Sequence, residues 1–204
     1  MTRACAWGLA LLVTFLLLGY LVRDSAWSLD LAVSDITGGI WQTTAGTVIW
    51  VVSDILGPVQ PIVWFFVLAI AAVRARRDAF VVNVLLRCMV LLAACRAVSL
   101  FKGVYERVRP RDYVDFSYPS GHVVSMASVA FTGIVLCGWL ARHLLRKAIA
   151  LGVTLVVISA ACRVLLDVHW FTDVLGGTLG VTAVGLLVAA ALRLIPLRER
   201  RVSP

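Results

Sequence analysis

The 204-residue sequence predicts an all-α integral membrane protein, a bundle of six transmembrane helices with both termini cytoplasmic. Three observations carry that expectation. Hydrophobic residues make up 61% of the chain and the mean hydropathy is +0.96, far above a soluble domain. Stretches near the length that crosses a bilayer, about 20 apolar residues, recur at roughly 4–22, 46–73, 79–101, 122–141, 148–167 and 172–195. Basic residues gather at Arg3, at Arg74/Arg76/Arg77, at Arg142/Arg146/Lys147 and at Arg193/Arg198/Arg200/Arg201. With six crossings all four clusters fall on one side, as the positive-inside pattern requires. Little length remains for a soluble unit, so residues 1–204 read as a single membrane-embedded domain.

The first stretch reads as a retained helix. It is longer than a signal-peptide core, and Tyr20-Leu-Val-Arg-Asp-Ser-Ala-Trp27 holds no small-residue cleavage site. The outer loop at roughly 23–45 carries Trp27, Trp41 and Leu29, Leu31, Val33 and Ile36 between polar residues. It is either an amphipathic segment on the membrane surface or a plain connection. The second stretch holds Gly57, Pro58 and Pro61, which predict a kink or break. Asp54 in it and Arg96 in the third stretch reach similar depths, which predicts an ion pair. Arg87 has no evident partner and is expected to snorkel toward the cytoplasm. In the sixth stretch Gly176, Gly177, Gly180 and Gly185 make a small-residue face for close packing. The five cysteines all lie in predicted helices, without metal-ligand spacing, and read as packing residues.

The net charge of +8 does not point to nucleic acid. Its placement is that of a membrane topology signal, with anionic headgroups as a secondary partner of the C-terminal cluster. The partners expected are the bilayer and a lipid phosphate. The sequence sets no oligomeric state.

Against this apolar background three polar groups converge on the outer face. Helix three ends near Lys102, the 103–121 loop and the start of helix four follow, and helix five leads outward through Arg163 into helix six. Lys102, Arg109 and Arg163 can bind phosphoryl oxygens, the arginines as planar forks and the lysine as a mobile point charge. Such a clamp stabilises charge where a metal would otherwise serve, and no carboxylate cluster or histidine pair offers a metal site. Each cation alone could equally be a snorkelling residue. Pro119-Ser120-Gly121-His122 opens helix four, with Ser120 as N-cap, Gly121 allowing close backbone approach, and amides facing any anion at that end. His122 is then placed as a general acid, although a lone histidine at a helix start is often structural. His169 and Asp173 are four apart and share a helical face. A carboxylate on one ring nitrogen makes the other the better nucleophile. A helix-cap pair is the other reading.

Lys102-x6-Arg109-Pro110, Pro119-Ser120-Gly121-His122 and Arg163-x5-His169-x3-Asp173 resemble, in order and spacing, the three signatures of the type 2 phosphatidic acid phosphatase superfamily. The six-helix plan resembles its bacterial membrane members. The resemblance implies that His169 attacks phosphorus and becomes a phosphohistidine, that Asp173 supports it, and that His122 protonates the leaving group and later activates water. It implies that Lys102, Arg109, Ser120, Gly121 and Arg163 hold the phosphate, and that no metal or other cofactor takes part. One position departs from the pattern: Cys162 stands where the third signature usually has serine, a stronger donor. Cys162 is therefore left out of the site.

The expected function is hydrolysis of a lipid phosphate at the extracytoplasmic face of the cell membrane. The short gap between Pro110 and Pro119 leaves no headgroup-binding domain. Polyprenyl diphosphate, phosphatidylglycerophosphate and phosphatidate all fit. A phosphotransferase passing the phosphate to a sugar or lipid hydroxyl is the alternative, and a non-catalytic scaffold or transporter is a third reading.

Overall fold

The computed structural model describes residues 2–195, so Arg198, Arg200 and Arg201 of the last basic cluster lie outside the described residues. The helices are α1 (Thr2–Val22), α2 (Ser28–Thr37), α3 (Thr44–Ile55), α4 (Val59–Arg74), α5 (Ala79–Arg96), a short turn α6 (Lys102–Tyr105), α7 (Gly121–Leu140), α8 (Leu145–Leu165) and α9 (Phe171–Ala191). Among the described residues there is no strand. Six segments are long and apolar enough to cross a membrane: Arg3–Val22, Thr44–Arg74, Ala79–Tyr105, Gly121–Leu140, Arg142–Leu165 and Phe171–Ala191. Each overlaps a predicted stretch. The protein is a multi-pass membrane bundle.

The second span is broken where glycine and proline predict it. α3 ends at Ile55 and α4 resumes at Val59. Pro58 has no N–H to continue the ladder. The loose Ile55 carbonyl is recovered by Gln60 Nε2 at 2.6 Å. α5 starts at Asp78, whose carboxylate accepts from Phe80 N at 3.1 Å and Val81 N at 3.2 Å.

α2 settles the nature of the first outer loop. It is a helix that buries Asp30 and Thr37 and exposes Leu29, Leu31 and Ile36. That inversion is stable only where the outward face meets apolar surroundings, as at a membrane interface.

Small residues let the helices and loops approach. A Cβ on Gly8 of α1 would stand 2.8 Å from Leu187 of α9. On Gly176 it would stand 2.2 Å from the Tyr118 ring, and on Gly180 2.7 Å from Val98. Phe15, Phe101, Tyr105 and Tyr118 pack as one aromatic cluster beside this face. Their hydroxyls are satisfied by α1: Tyr118 donates to Phe15 O at 2.7 Å and Tyr105 to Leu16 O at 3.0 Å. The cluster anchors the 106–120 loop.

At the other end of the bundle the Trp139 ring packs at a tilt against Phe80, and its indole N–H donates to Leu194 O at 2.8 Å. Arg87 does not snorkel. Its Nη1 donates to Leu192 O at 3.0 Å, using a carbonyl that the end of α9 leaves free. The expected Asp54–Arg96 pair does not form either. Arg96 bonds the Ser99 hydroxyl one turn on, and Asp54 faces His122 instead. All five cysteines are free thiols, with Cys88, Cys95 and Cys162 buried in packing positions.

Candidate active site

His169 lies just before α9 in a fully enclosed position, its side chain 1% exposed. Its Nδ1 is 3.4 Å from Asp173 Oδ2 and 3.5 Å from Ser117 Oγ. Its Nε2 is 3.2 Å from Arg109 Nη1. A guanidinium can only donate, so Nε2 must be the acceptor nitrogen and Nδ1 carries the hydrogen toward Asp173. The ring is thus held with its Nε2 lone pair facing the Arg109 guanidinium. Burial pushes the imidazole well below its usual pKa, and the charges of Arg109, Arg163 and Lys102 add to the effect.

The His169–Asp173 contact is not made across a helix face. α9 begins at Phe171, and Asp173 turns back to accept from Trp170 N at 2.8 Å. A carboxylate in the first turn is favoured there by the unpaired helix amides. Asp173 is therefore a helix cap that also contacts His169.

Lys102, Arg109 and Arg163 come together around this pair. Arg109 donates to Val168 O at 2.7 Å and Phe116 O at 3.2 Å and lies over the Tyr113 ring at 4.4 Å. Lys102 Nζ is 2.6 Å from Asp115 Oδ2, and the same carboxylate is 3.6 Å from Arg109 Nη2. Arg163 donates to Ser53 Oγ at 3.1 Å, while its buried Nε has no partner. Asp115, 54% exposed, thus contacts two of the three cations, Lys102 and Arg109.

Ser120 holds the N-cap position of α7, yet its hydroxyl does not close on the helix. Ser120 Oγ is buried without a partner, and its N–H donates to Asp173 O at 3.1 Å. Among the described residues nothing partners this buried hydroxyl or the buried Nε–H of Arg163. A Cβ on Gly121 would point at Lys102 Cε, 3.5 Å away, so this backbone faces the cations. His122 lies within electrostatic range of Arg163, His169, Lys102 and Arg109. Its Nε2 is 3.9 Å from Asp54 Oδ1. Gly57, at the break between α3 and α4, gives the ring room: a Cβ there would be 3.0 Å from His122 Nε2. All the predicted site residues thus share one cluster.

A family model described as the PAP2 superfamily matches residues 81–197 of this chain. The chain belongs to the PAP2 superfamily, the type 2 phosphatidic acid phosphatases. Membership supports a phosphatase acting on phosphate esters, and the six apolar spans make it a membrane protein. The match spans every predicted site residue, from Lys102 to Asp173, and begins after the break that carries Asp54 and Gly57. No curated protein sequence matches this one. The fold of this PAP2 protein is similar to the crystal structure described as the first transmembrane PAP2 type phosphatidylglycerolphosphate phosphatase from Bacillus subtilis. The two are 23% identical, with a TM-score of 0.74 over 96% of this chain and 98% of that one.

Sequence reasoning missed several residues of the cluster. Arg107 is buried between two carboxylates, 2.7 Å from Asp30 Oδ2 and 2.6 Å from Asp173 Oδ1. Ser117 donates to Asp173. Asp30 accepts from Thr172 N at 2.9 Å. One signal was in the sequence: Trp27-x-x-Asp30 and Trp170-x-x-Asp173 are the same helix-start pattern, and each carboxylate turns back toward its tryptophan N–H. A polar cavity of about 550 Å³ opens beside this network, lined in part by Arg23, Arg107, Arg109 and Trp170. An apolar groove of about 660 Å³ between α7, α8 and α9 touches none of the predicted site residues.

Proposed function

We propose that this protein is a metal-independent phosphatase of lipid phosphates that works through a phosphohistidine. The observation that carries the reading is the setting of His169, with Asp173 on Nδ1 at 3.4 Å and the Arg109 guanidinium 3.2 Å from Nε2. A phosphate held by Arg109 brings its phosphorus to that nitrogen.

His169 Nε2 attacks phosphorus, and the bond from phosphorus to the lipid oxygen breaks. His122 gives its proton to the leaving oxygen. Lys102, Arg109 and Arg163, with the Ser120 hydroxyl and the backbone at Gly121, stabilise the equatorial oxygens. Asp173 stabilises the charge that forms on the ring of His169. In the second half His122 takes a proton from water, the oxygen attacks phosphorus, and the N–P bond breaks to release phosphate and restore His169.

The site residues lie in the ends of membrane-spanning segments and in the loops that join them, which favours an amphiphile whose tail stays in the bilayer. Polyprenyl diphosphate, phosphatidylglycerophosphate and phosphatidate are the candidates, and the description of the Bacillus subtilis relative adds weight to the second. The basic clusters support cytoplasmic termini and a site on the extracytoplasmic side of the cell membrane. The whole chain is read as one membrane-embedded domain.

The test is phosphate release from those three lipids by the purified chain in detergent, with alkaline detergent quenching of a labelled phosphoenzyme. Wild type is expected to release phosphate from at least one and to form an acid-labile phosphohistidine. His169→Ala is expected to abolish both. Release by His169→Ala at the original rate overturns the mechanism. Label appearing on an added sugar or lipid hydroxyl instead of in free phosphate identifies a transferase.

A further inference from the structure

Arg107 occupies a position the first signature leaves unspecified, yet its side chain is 2% exposed and lies between two carboxylates that are fully buried. Its Nη1 donates to Asp173 Oδ1 at 2.6 Å and to Thr172 Oγ1 at 2.7 Å. Its Nη2 donates to Asp30 Oδ2 at 2.7 Å and to Ser25 O at 3.4 Å. Asp30 closes the ring by accepting from Thr172 N at 2.9 Å and Thr172 Oγ1 at 2.8 Å. α2 is held down a second time where Ser34 Oγ donates to Asp167 Oδ1 at 2.9 Å.

We propose that Asp30 and Arg107 are positioning residues for the nucleophile, making the interfacial helix α2 part of the catalytic apparatus. The proposal rests on the reading of His169 as nucleophile. Both Nη atoms of Arg107 are engaged by protein acceptors, so its role differs from that of Arg163, whose Nε has no partner. The physical need is charge. Asp173 must stay ionised to accept from His169 Nδ1, but a dry carboxylate tends to take a proton. Arg107 supplies the cation that holds it ionised, and Asp30 balances and orients Arg107. Without Arg107, Asp30 and Asp173 become two uncompensated buried carboxylates. A proton taken up by Asp173 removes the acceptor for Nδ1–H, and the ring is free to carry its hydrogen on Nε2. That tautomer has no lone pair for phosphorus.

The test uses the full chain in detergent and the panel lipid that wild type turns over fastest. Arg107→Gln and Asp30→Asn are expected to lower kcat by about 100-fold or more with KM within about threefold, a split typical of a misset histidine–carboxylate pair. Arg107→Lys keeps the charge and is expected to recover at least about tenfold of the lost kcat. A folded Arg107→Gln variant with kcat within about threefold of wild type overturns the proposal, as does a rise in KM with kcat unchanged, which would make Arg107 a substrate ligand. Thermal unfolding identifies folded variants. If Arg107→Gln does not fold, Asp30→Asn decides by the same criteria. If neither folds, Arg107→Lys decides: kcat lowered at least about threefold at wild-type KM supports the proposal, and wild-type kcat overturns it. A wild type without phosphohistidine breaks the functional reading itself. Normal turnover by Arg107→Gln, beside an inactive His169→Ala, breaks only this inference.

Discussion

Asp115 places a carboxylate oxygen 2.6 Å from Lys102 Nζ. The same group reaches Arg109 Nη2 at 3.6 Å, so a loop carboxylate sits on two of the cations assigned to phosphate. Burial raises its pKa, but the hydrogen bond and charge of Lys102, followed by the charge of Arg109, bring it below the usual carboxylate range. Substrate phosphate has to displace an ionised competitor. The pair is half in solvent, worth about 0.2–1 kcal/mol. Asp115→Asn is therefore expected to lower KM about two- to fivefold with kcat unchanged, in initial-rate measurements against lipid concentration. A higher KM would mean that the loop helps to hold substrate.

If His169 is the nucleophile, as proposed, its depressed pKa sets the acid limb of activity. The attacking form is the neutral ring, so activity is present above the folded-state pKa and lost as pH falls through it. Burial and the three cations move that loss below the ordinary histidine value of about 6.5. In a profile of kcat/KM against pH, the acid midpoint is expected below that value. Asp115 pulls the other way, so Asp115→Asn moves the midpoint further down. A shift upward contradicts the arrangement.

Gly57 tests the placement of His122. A Cβ at this position would stand 3.0 Å from His122 Nε2 and 2.9 Å from Asp54 O. Neither neighbour can retreat without moving the histidine or the end of α3. Gly57→Ala is expected to lower kcat about 10- to 100-fold, the usual cost of misplacing a reacting group by about an ångström. Rates close to wild type would take His122 away from the leaving oxygen.

Gly176 tests the scaffold. Any side chain there meets the Tyr118 ring, with a Cβ only 2.2 Å from Cε2. Tyr118 leads directly into Pro119 and Ser120, so the strain is passed to the start of α7. Gly176→Ala is expected to cost about 1–3 kcal/mol of stability by overpacking, with activity falling alongside. Gly133→Ala, which meets nothing within 4 Å, should stay within about 0.5 kcal/mol. Detergent-solubilised thermal unfolding compares the two.

Removal of divalent metal is the remaining check. In the proposed reaction Lys102, Arg109 and Arg163 supply the positive charge that a metal would bring to the transferring phosphoryl group. Phosphate release after dialysis against EDTA is expected to stay within about twofold of the untreated rate. Complete loss reversed by added magnesium would contradict the cation clamp.

Much of the site was legible because its signals are local. His122 follows Ser120 and Gly121 at a helix start, and Asp173 lies four residues beyond His169, so short spacing already confines them. Depth was legible too, since the helix count brings Lys102, His122, Arg163 and His169 to one end. The errors fall where a charged residue had to choose among distant partners. Asp54 was matched to Arg96 by depth, but depth does not say which way a side chain turns. Arg96 is satisfied by Ser99 in its own segment, and Asp54 turns to His122 across the break at Gly57. Ser120 carried a strong N-cap signal, yet its hydroxyl stays free because the helix start is held instead by its backbone bond to Asp173.

Local sequence set the six crossings, the break at Gly57-Pro58, the glycine face of α9 and which residues are proposed to handle phosphate. These depend on hydrophobic length, backbone limits and short spacing, which are properties of neighbours along the chain. The tertiary structure alone decided that Asp30 and Arg107, 77 residues apart, stand behind Asp173, and that Asp115 rests on the clamp. A buried charge needs a partner at about 3 Å, and only the packed bundle determines which of the available charges comes that close.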